Sequence, residues 1–262
     1  MNSLPIKWFQ GTSLIDYPGR VASIVFVGGC NFRCRFCYNR DLISADTVPD
    51  VDAEEILREL KHRRGFIDGV VITGGEPTLN HGIIDFLCAV KRIGIDVKID
   101  TNGSNPETLE WIIEERLAEY VAMDYKAPLR KLDSVIGAKG MAERVHASAM
   151  LLIHRATCRY EFRTTVHPSL HDPFDIDEMA EEIHGAAAYH LQQFHPVDSL
   201  DSSLLSVPAY GPDFFRAVSH RISDRFPVFS IRNLPDFQMN EAPASDTETE
   251  LAPKFINHSA DR

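Results

Sequence analysis

No stretch of this 262-residue chain approaches the roughly 20 consecutive apolar residues that a membrane-spanning helix needs. The first ten residues carry one lysine and only the short apolar pieces Leu4-Pro5-Ile6 and Trp8-Phe9, too little for the apolar core of a signal peptide. Basic residues are also scarce: 27 Lys and Arg stand against 38 Asp and Glu, a net charge of −11, and no long basic run offsets that balance. Phosphate backbones are bound through clustered Lys and Arg, so nucleic-acid binding is not expected. Cysteine is sparse too. Five residues in a chain read as cytoplasmic are not expected to form disulfides, so any grouping among them calls for a chemical reason.

What is present is ordinary globular composition, 44% hydrophobic and 25% charged, enough for one sizeable αβ core. Short β-like apolar runs at 22–27, 69–72, 96–99, 120–123, 160–165 and 188–194 alternate with helical patterns at 52–64, 81–93, 106–118, 141–157 and 176–185, with another at 212–226. Ala53, Ile56, Leu57 and Leu60 show the helical spacing, and Asp52 with Glu55 provides a capping-box-like start. Six βα repeats imply a parallel sheet with right-handed crossovers, either open or closed into a barrel, and 228–232 can add a late strand. Beyond Pro235 the periodicity stops. Residues 236–262 hold six acidic and two basic side chains with no apolar face, so the core domain is assigned to 1–235 and an acidic, disordered tail to 236–262.

Four segments of note sit where βα loops should be. Directly after the first parallel strand comes Cys30-Asn31-Phe32-Arg33-Cys34-Arg35-Phe36-Cys37. That spacing lets one loop wrap a metal centre, and thiolates are the ligands iron–sulfur clusters prefer. Three ligands for four irons leave one iron open to a small molecule. A structural zinc would want a fourth ligand from a second C-x-x-C or a paired His motif, and neither follows. Cys88 and Cys158 are isolated and read as packed small apolar residues. Thr73-Gly74-Gly75-Glu76-Pro77-Thr78 follows the next strand, with glycines that allow close backbone approach and carbonyls able to accept from an ammonium. Asp100-Thr101-Asn102-Gly103 and Asp124-Tyr125-Lys126 follow the two after that; the aspartates can jointly hold a cation and Lys126 can meet a carboxylate. Two weaker candidates, Arg163 and His195, lie at the ends of the fifth and sixth strands.

The cysteine loop, C-x3-C-x-aromatic-C with Phe36 at the aromatic position, resembles the signature of the radical S-adenosylmethionine superfamily. That resemblance implies a partial (β/α)6 TIM-like barrel, one [4Fe–4S] cluster on Cys30, Cys34 and Cys37, and S-adenosylmethionine on the open iron. A single electron then releases methionine and a 5′-deoxyadenosyl radical. Gly74, Gly75 and Glu76 look like the superfamily's GGEP motif, which contacts the methionyl amino group. Asp100, Thr101, Asp124 and Lys126 resemble the D-T-N-G and D-x-K segments of glycyl-radical-enzyme activases. There the aspartates flank a monovalent cation and the lysine, the candidate catalytic residue, faces the cofactor's carboxylate. By the same similarity Arg163 and His195 point at its ribose or methionyl end. Trp8-Phe9-Gln10-Gly11-Thr12-Ser13-Leu14-Ile15-Asp16-Tyr17-Pro18-Gly19 and Met123-Asp124-Tyr125-Lys126-Ala127-Pro128 are similar to the longer-chain activating proteins of anaerobic ribonucleoside-triphosphate reductase. The implied partners are that reductase and a flavodoxin- or ferredoxin-type electron donor. Asp16-Tyr17-Pro18-Gly19 departs from the D-G-P-G of many activases and is physically a turn. A pyruvate formate-lyase-type activase and a small-molecule enzyme of the 7-carboxy-7-deazaguanine synthase kind share the cysteine loop and stand as alternatives.

Overall fold

Alternation along each strand decides which side chains meet the helices and which meet the interior of the sheet. In the computed structural model, which describes residues 4–196 and 199–234, eight strands form one sheet in chain order. They are β1 (Ile6–Ser13), β2 (Ala22–Val27), β3 (Gly69–Gly74), β4 (Asp96–Thr101), β5 (Tyr120–Asp124), β6 (Arg159–Val166), β7 (Ala188–Gln193) and β8 (Val228–Arg232). β1 runs antiparallel to β2, and every later pairing is parallel. The six βα units from β2 to β7 are the partial TIM-like barrel that the sequence implies, with β1 and β8 added at its two edges. The expected tail at 236–262 lies outside the described residues.

Helices α1 (Ala53–Arg63), α2 (Ile83–Ile93), α3 (Pro106–Glu114), α4 (Leu132–Ile136), α5 (Ala142–Arg155), α6 (Pro173–Glu182) and α7 (Pro212–Ile222) cover the outer face. Asp52 caps α1 by accepting from the Glu54 N–H. α6 starts three residues earlier than its apolar periodicity suggests, because Asp172 and Asp175 form a reciprocal capping box around Pro173. Val25, Val27, Val70, Ile72, Val97 and Ile99 point outward into the main core against these helices. Each such side chain contributes about 1.5–3 kcal/mol by leaving water. Among the described residues no helix is long and apolar enough to cross a membrane.

The inner face is different. At the N-terminal end of the strands a small apolar floor gathers Tyr17, Ile24, Val71 and Tyr120. Above it the interior turns polar. Glu161, 1% exposed, accepts from Tyr120 Oη at 2.7 Å and from two Arg232 N–H groups at 2.8 Å each, with His190 Nε2 at 3.3 Å. Burial alone would raise this carboxyl; the bonds from His190, Arg232 and Tyr120 outweigh it and hold it far below the carboxylate range. The register sets Val27 level with Gly74, and Asp124 level with Arg163, so the C-terminal strand ends form one rim.

Candidate active site

The cysteine loop leaves β2 at that rim and is held from two sides. Arg33 N–H and Arg35 N–H donate to the carbonyls of Ile136 and Val135 at the end of α4, at 2.6 and 3.2 Å. On the other side Leu200 N–H reaches Cys37 O and Asp201 N–H reaches Arg35 O, while the Arg35 guanidinium pairs with Asp201 at 2.8 Å. All five cysteines are free thiols. Cys30, Cys34 and Cys37 line one cavity of about 250 Å³ at the rim. Burial pushes the Cys34 thiol up to about 12, with Lys126 opposing, and raises Cys30 and Cys37 as well. Among the described residues no three His, Cys, Asp or Glu side chains are grouped to hold a single metal ion. Three thiols lining one cavity are the donor set that iron–sulfur clusters take. Cys30 also receives hydrogen bonds from Phe32 N–H at 3.4 Å and Asn102 Nδ2 at 3.8 Å, the kind of contact that orients a ligand and tunes a cluster.

The glycines after β3 form the adjoining wall. Gly74 sits at φ +113° beside the Val27 carbonyl, and a Cβ on Gly75 would collide with the Gly29 carbonyl oxygen. No larger residue fits against the β2 end, and the bare backbone faces the cavity. Glu76 lines the cavity, but its carboxylate is turned into the protein. Oε1 accepts from Thr78 N–H, Thr78 Oγ1 and Thr101 Oγ1 at 3.1, 2.6 and 2.7 Å, and Oε2 from Asn102 N–H at 2.6 Å. Burial raises its pKa while those four donors favour the ionised form. Glu76 and Thr101 thus lock the β3 and β4 ends together, and what faces a ligand here is backbone.

Asp100, Asp124, Lys126 and Arg163 meet in the same cavity. Arg163 lies 2.9 Å from Asp124 and 3.4 Å from Asp100, and Lys126 lies 3.2 Å from Asp124. Burial opposes the charge on Asp124, but Arg163 and then Lys126 more than cancel it and keep the carboxyl below its usual range. Lys126 is held above its ordinary value by Asp124 and then Cys34 against the cost of burial, so it is a cation at neutral pH. Its Nζ sits 5.5 Å from the centre of the Phe36 ring, the residue at the aromatic position of the cysteine motif.

His195 is the exception. It is exposed, does not line the cavity, and its backbone N–H donates to Tyr38 Oη at 2.7 Å. Alternation explains this, since the rim positions facing inward are Thr165 on β6 and Gln192 on β7, and His195 lies three residues past Gln192 in the loop. Tyr38 also lines the cavity, stacked on Phe194 at 5.7 Å, and was signalled only by being an aromatic next to Cys37.

A parallel barrel with a three-thiol loop after its first parallel strand and a glycine ledge beside it defines the class. The family model described as the Radical SAM superfamily matches residues 24–184, and the chain belongs to that superfamily, whose members use a [4Fe–4S] cluster and S-adenosylmethionine. Within it the chain is 32% identical over 200 residues to the protein of Methanocaldococcus jannaschii named "Putative glycyl-radical enzyme activating enzyme MJ1227", a match covering 75% of this chain and 82% of that one. It is 33% identical over 126 residues to the pyruvate formate-lyase-activating enzyme of Clostridium pasteurianum, covering 46% of this chain and 52% of the relative. The crystal structure of Streptococcus suis SuiB shares the fold at a TM-score of 0.59 and 15% identity, over 78% of this chain and 47% of that one.

Proposed function

We propose that this protein activates a glycyl-radical enzyme and that its target is anaerobic ribonucleoside-triphosphate reductase. The observation that carries the reading is that each carboxylate at the cavity is already engaged. Glu76 takes four hydrogen bonds, and Asp100 and Asp124 are both paired with basic side chains. None is placed to serve as a general base, which suits a reaction in which a carbon radical, not a base, removes a hydrogen from the substrate.

The cluster, when bound by Cys30, Cys34 and Cys37, supplies the electron that splits S-adenosylmethionine. The chain's own residues hold and orient. The backbone of Gly74 and Gly75 offers acceptors for the methionyl ammonium, Lys126 meets the carboxylate, and Phe36 and Tyr38 bring apolar faces that exclude water. The cavity opens at the strand ends, where a loop carrying the target glycine can enter, and proximity then provides the main advantage. Residues 1–235 form the working core in this reading. A flavodoxin- or ferredoxin-type donor would supply the electron, and a reducing cytoplasm is the compartment that keeps such thiols unpaired.

The name of the M. jannaschii relative supports the activase class, and the 8–19 and 123–128 segments support the reductase as target. The partial match to the C. pasteurianum enzyme favours a second reading, a pyruvate formate-lyase-type target. Anaerobic incubation of the reduced, loaded enzyme with S-adenosylmethionine and each candidate separates them. The expected result is a doublet glycyl-radical signal with the reductase, and 5′-deoxyadenosine formed in step with it. A doublet with the lyase alone would move the target, and deoxyadenosine with no doublet on either would overturn the activase reading.

A further inference from the structure

Asp100 and Asp124, which by resemblance flank a monovalent cation, have each of their four oxygens paired with a basic side chain of this chain. Asp100 Oδ1 receives Lys98 Nζ, and its Oδ2 lies 3.4 Å from Arg163 Nη1. Asp124 Oδ1 lies 2.9 Å from Arg163 Nε, and its Oδ2 3.2 Å from Lys126 Nζ. The result is one line of alternating charge running Lys98, Asp100, Arg163, Asp124, Lys126. Side-chain exposures are 2% for Lys98, 17% for Asp100, 14% for Arg163 and 13% for Lys126, so water reaches the line chiefly at Asp124, which is 33% exposed. A metal ion between the two carboxylates would have to displace Arg163 or add a fourth positive charge beside three that already outnumber two negative ones. The residues present do not fit such an ion.

We infer that this chain carries its own cation in that place: the Lys98 ammonium, with Arg163, balances Asp100 and Asp124, and binding of S-adenosylmethionine is indifferent to sodium and potassium. Lys98 sits on β4 two residues before Asp100, so both point to the interior of the sheet. A tethered ammonium needs no association step and cannot be exchanged. By taking Asp100 Oδ1 it leaves Arg163 to bridge Asp100 Oδ2 and Asp124 Oδ1, and the line ends with one positive charge in excess at Lys126, the residue assigned to the cofactor's carboxylate. Lys98 is in this sense a positioning residue.

The test uses the cluster-loaded enzyme without any reductase, so the identity of the partner does not enter. Affinity for S-adenosylmethionine is measured by anaerobic equilibrium dialysis in tetramethylammonium buffer, whose cation is too large to sit between two carboxylates, and again with potassium or sodium at matched ionic strength. For the wild type we expect values within about twofold of each other, and for Lys98→Met about a tenfold loss in tetramethylammonium that potassium or sodium partly restores. Wild-type affinity that falls severalfold without a small cation would overturn the inference. So would a folded Lys98→Met that binds as the wild type does, or whose loss no cation restores. Titration with thallium(I) as a potassium probe gives a reading that needs no variant: no stoichiometric binding to the wild type supports the inference, and one bound ion displaced by potassium overturns it.

Discussion

Glu76 is nearly as buried as any residue in the protein, at 1% exposure, and a carboxylate at that depth persists only where its lone pairs are filled. Truncating it strands two backbone N–H groups and two hydroxyls, each costing on the order of 1–3 kcal/mol when buried without a partner. Glu76→Ala should therefore lose about 3 kcal/mol or more of unfolding free energy, read from the denaturant midpoint. Glu76→Gln should recover only part of that, because its amide turns a donor toward a donor. An alanine variant as stable as the wild type would show that the two strand ends are held by something else. His171 offers a second test at this scale. Its Nε2 bonds to the Lys126 carbonyl at 2.8 Å, its Nδ1 accepts from His167 N–H, and burial lowers its pKa to about 4 from 6.5. A depressed pKa means that the unfolded chain binds the proton first as pH falls. The stabilisation is complete above pH 6.5 and is lost progressively down to about pH 4, a change of about 3 kcal/mol by linkage. Unfolding free energy measured across that window should fall with pH, and His171→Gln should flatten the slope; an equal slope in the variant would assign it to other groups.

Elements differ in how much of themselves they show in sequence. Parallel strands read well because their outer faces are plain apolar alternations, and 22–27 and 228–232 coincide with β2 and β8. β1 went unread. Its Ile6-Lys7-Trp8-Phe9-Gln10-Gly11-Thr12-Ser13 is interrupted by two register shifts, and it buries Lys7, whose ammonium bonds to Val48 O at 2.6 Å and to Asp50. Those partners are some forty residues away, so nothing local announces them. Lys98 escaped for a related reason. Val-Lys-Ile-Asp looks like a strand with a solvated face, whereas in this barrel the polar side chains above the floor turn to the interior, where Lys98, Asp100 and Arg163 meet. The three cysteines are legible in the sequence as one group, and they line one cavity, but the clamps on their loop are not legible, because α4 and 199–201 come from distant segments. The Arg35–Asp201 pair is partly exposed and contributes little to global stability. Its effect should appear in the loop. Asp201→Ala should lose iron to a ferrous chelator severalfold faster than the wild type while unfolding at nearly the same denaturant concentration. Equal rates of iron loss would show that the backbone bonds to Cys37 and Arg35 suffice alone.

At the scale of the whole molecule, a sheet with edges at β1 and β8 has to keep water out of its interior from below as well as from above. Tyr17 does this. The turn that carries it inserts the ring under the strands, edge-on to Tyr120 at 5.9 Å, and a Cβ at Gly69 would lie 2.8 Å from that ring, so the two positions are matched. Tyr120 in turn donates to Glu161, which gathers His190 and Arg232 and so ties β5 through β8 into one interior network leading up to Arg163. The Tyr17 hydroxyl itself is buried and has no hydrogen-bond partner among the described residues. Ring and hydroxyl should therefore act in opposite directions. Tyr17→Ala removes the floor and should cost about 3–5 kcal/mol, the range for emptying a buried aromatic site. Tyr17→Phe keeps the ring and removes only an unpaired polar atom, so it should be as stable as the wild type or more stable by about 1 kcal/mol. Denaturant unfolding of the three proteins decides it. A Phe variant weaker by more than about 1 kcal/mol would mean that the hydroxyl is satisfied from within the barrel, and that the floor under the polar interior is wet.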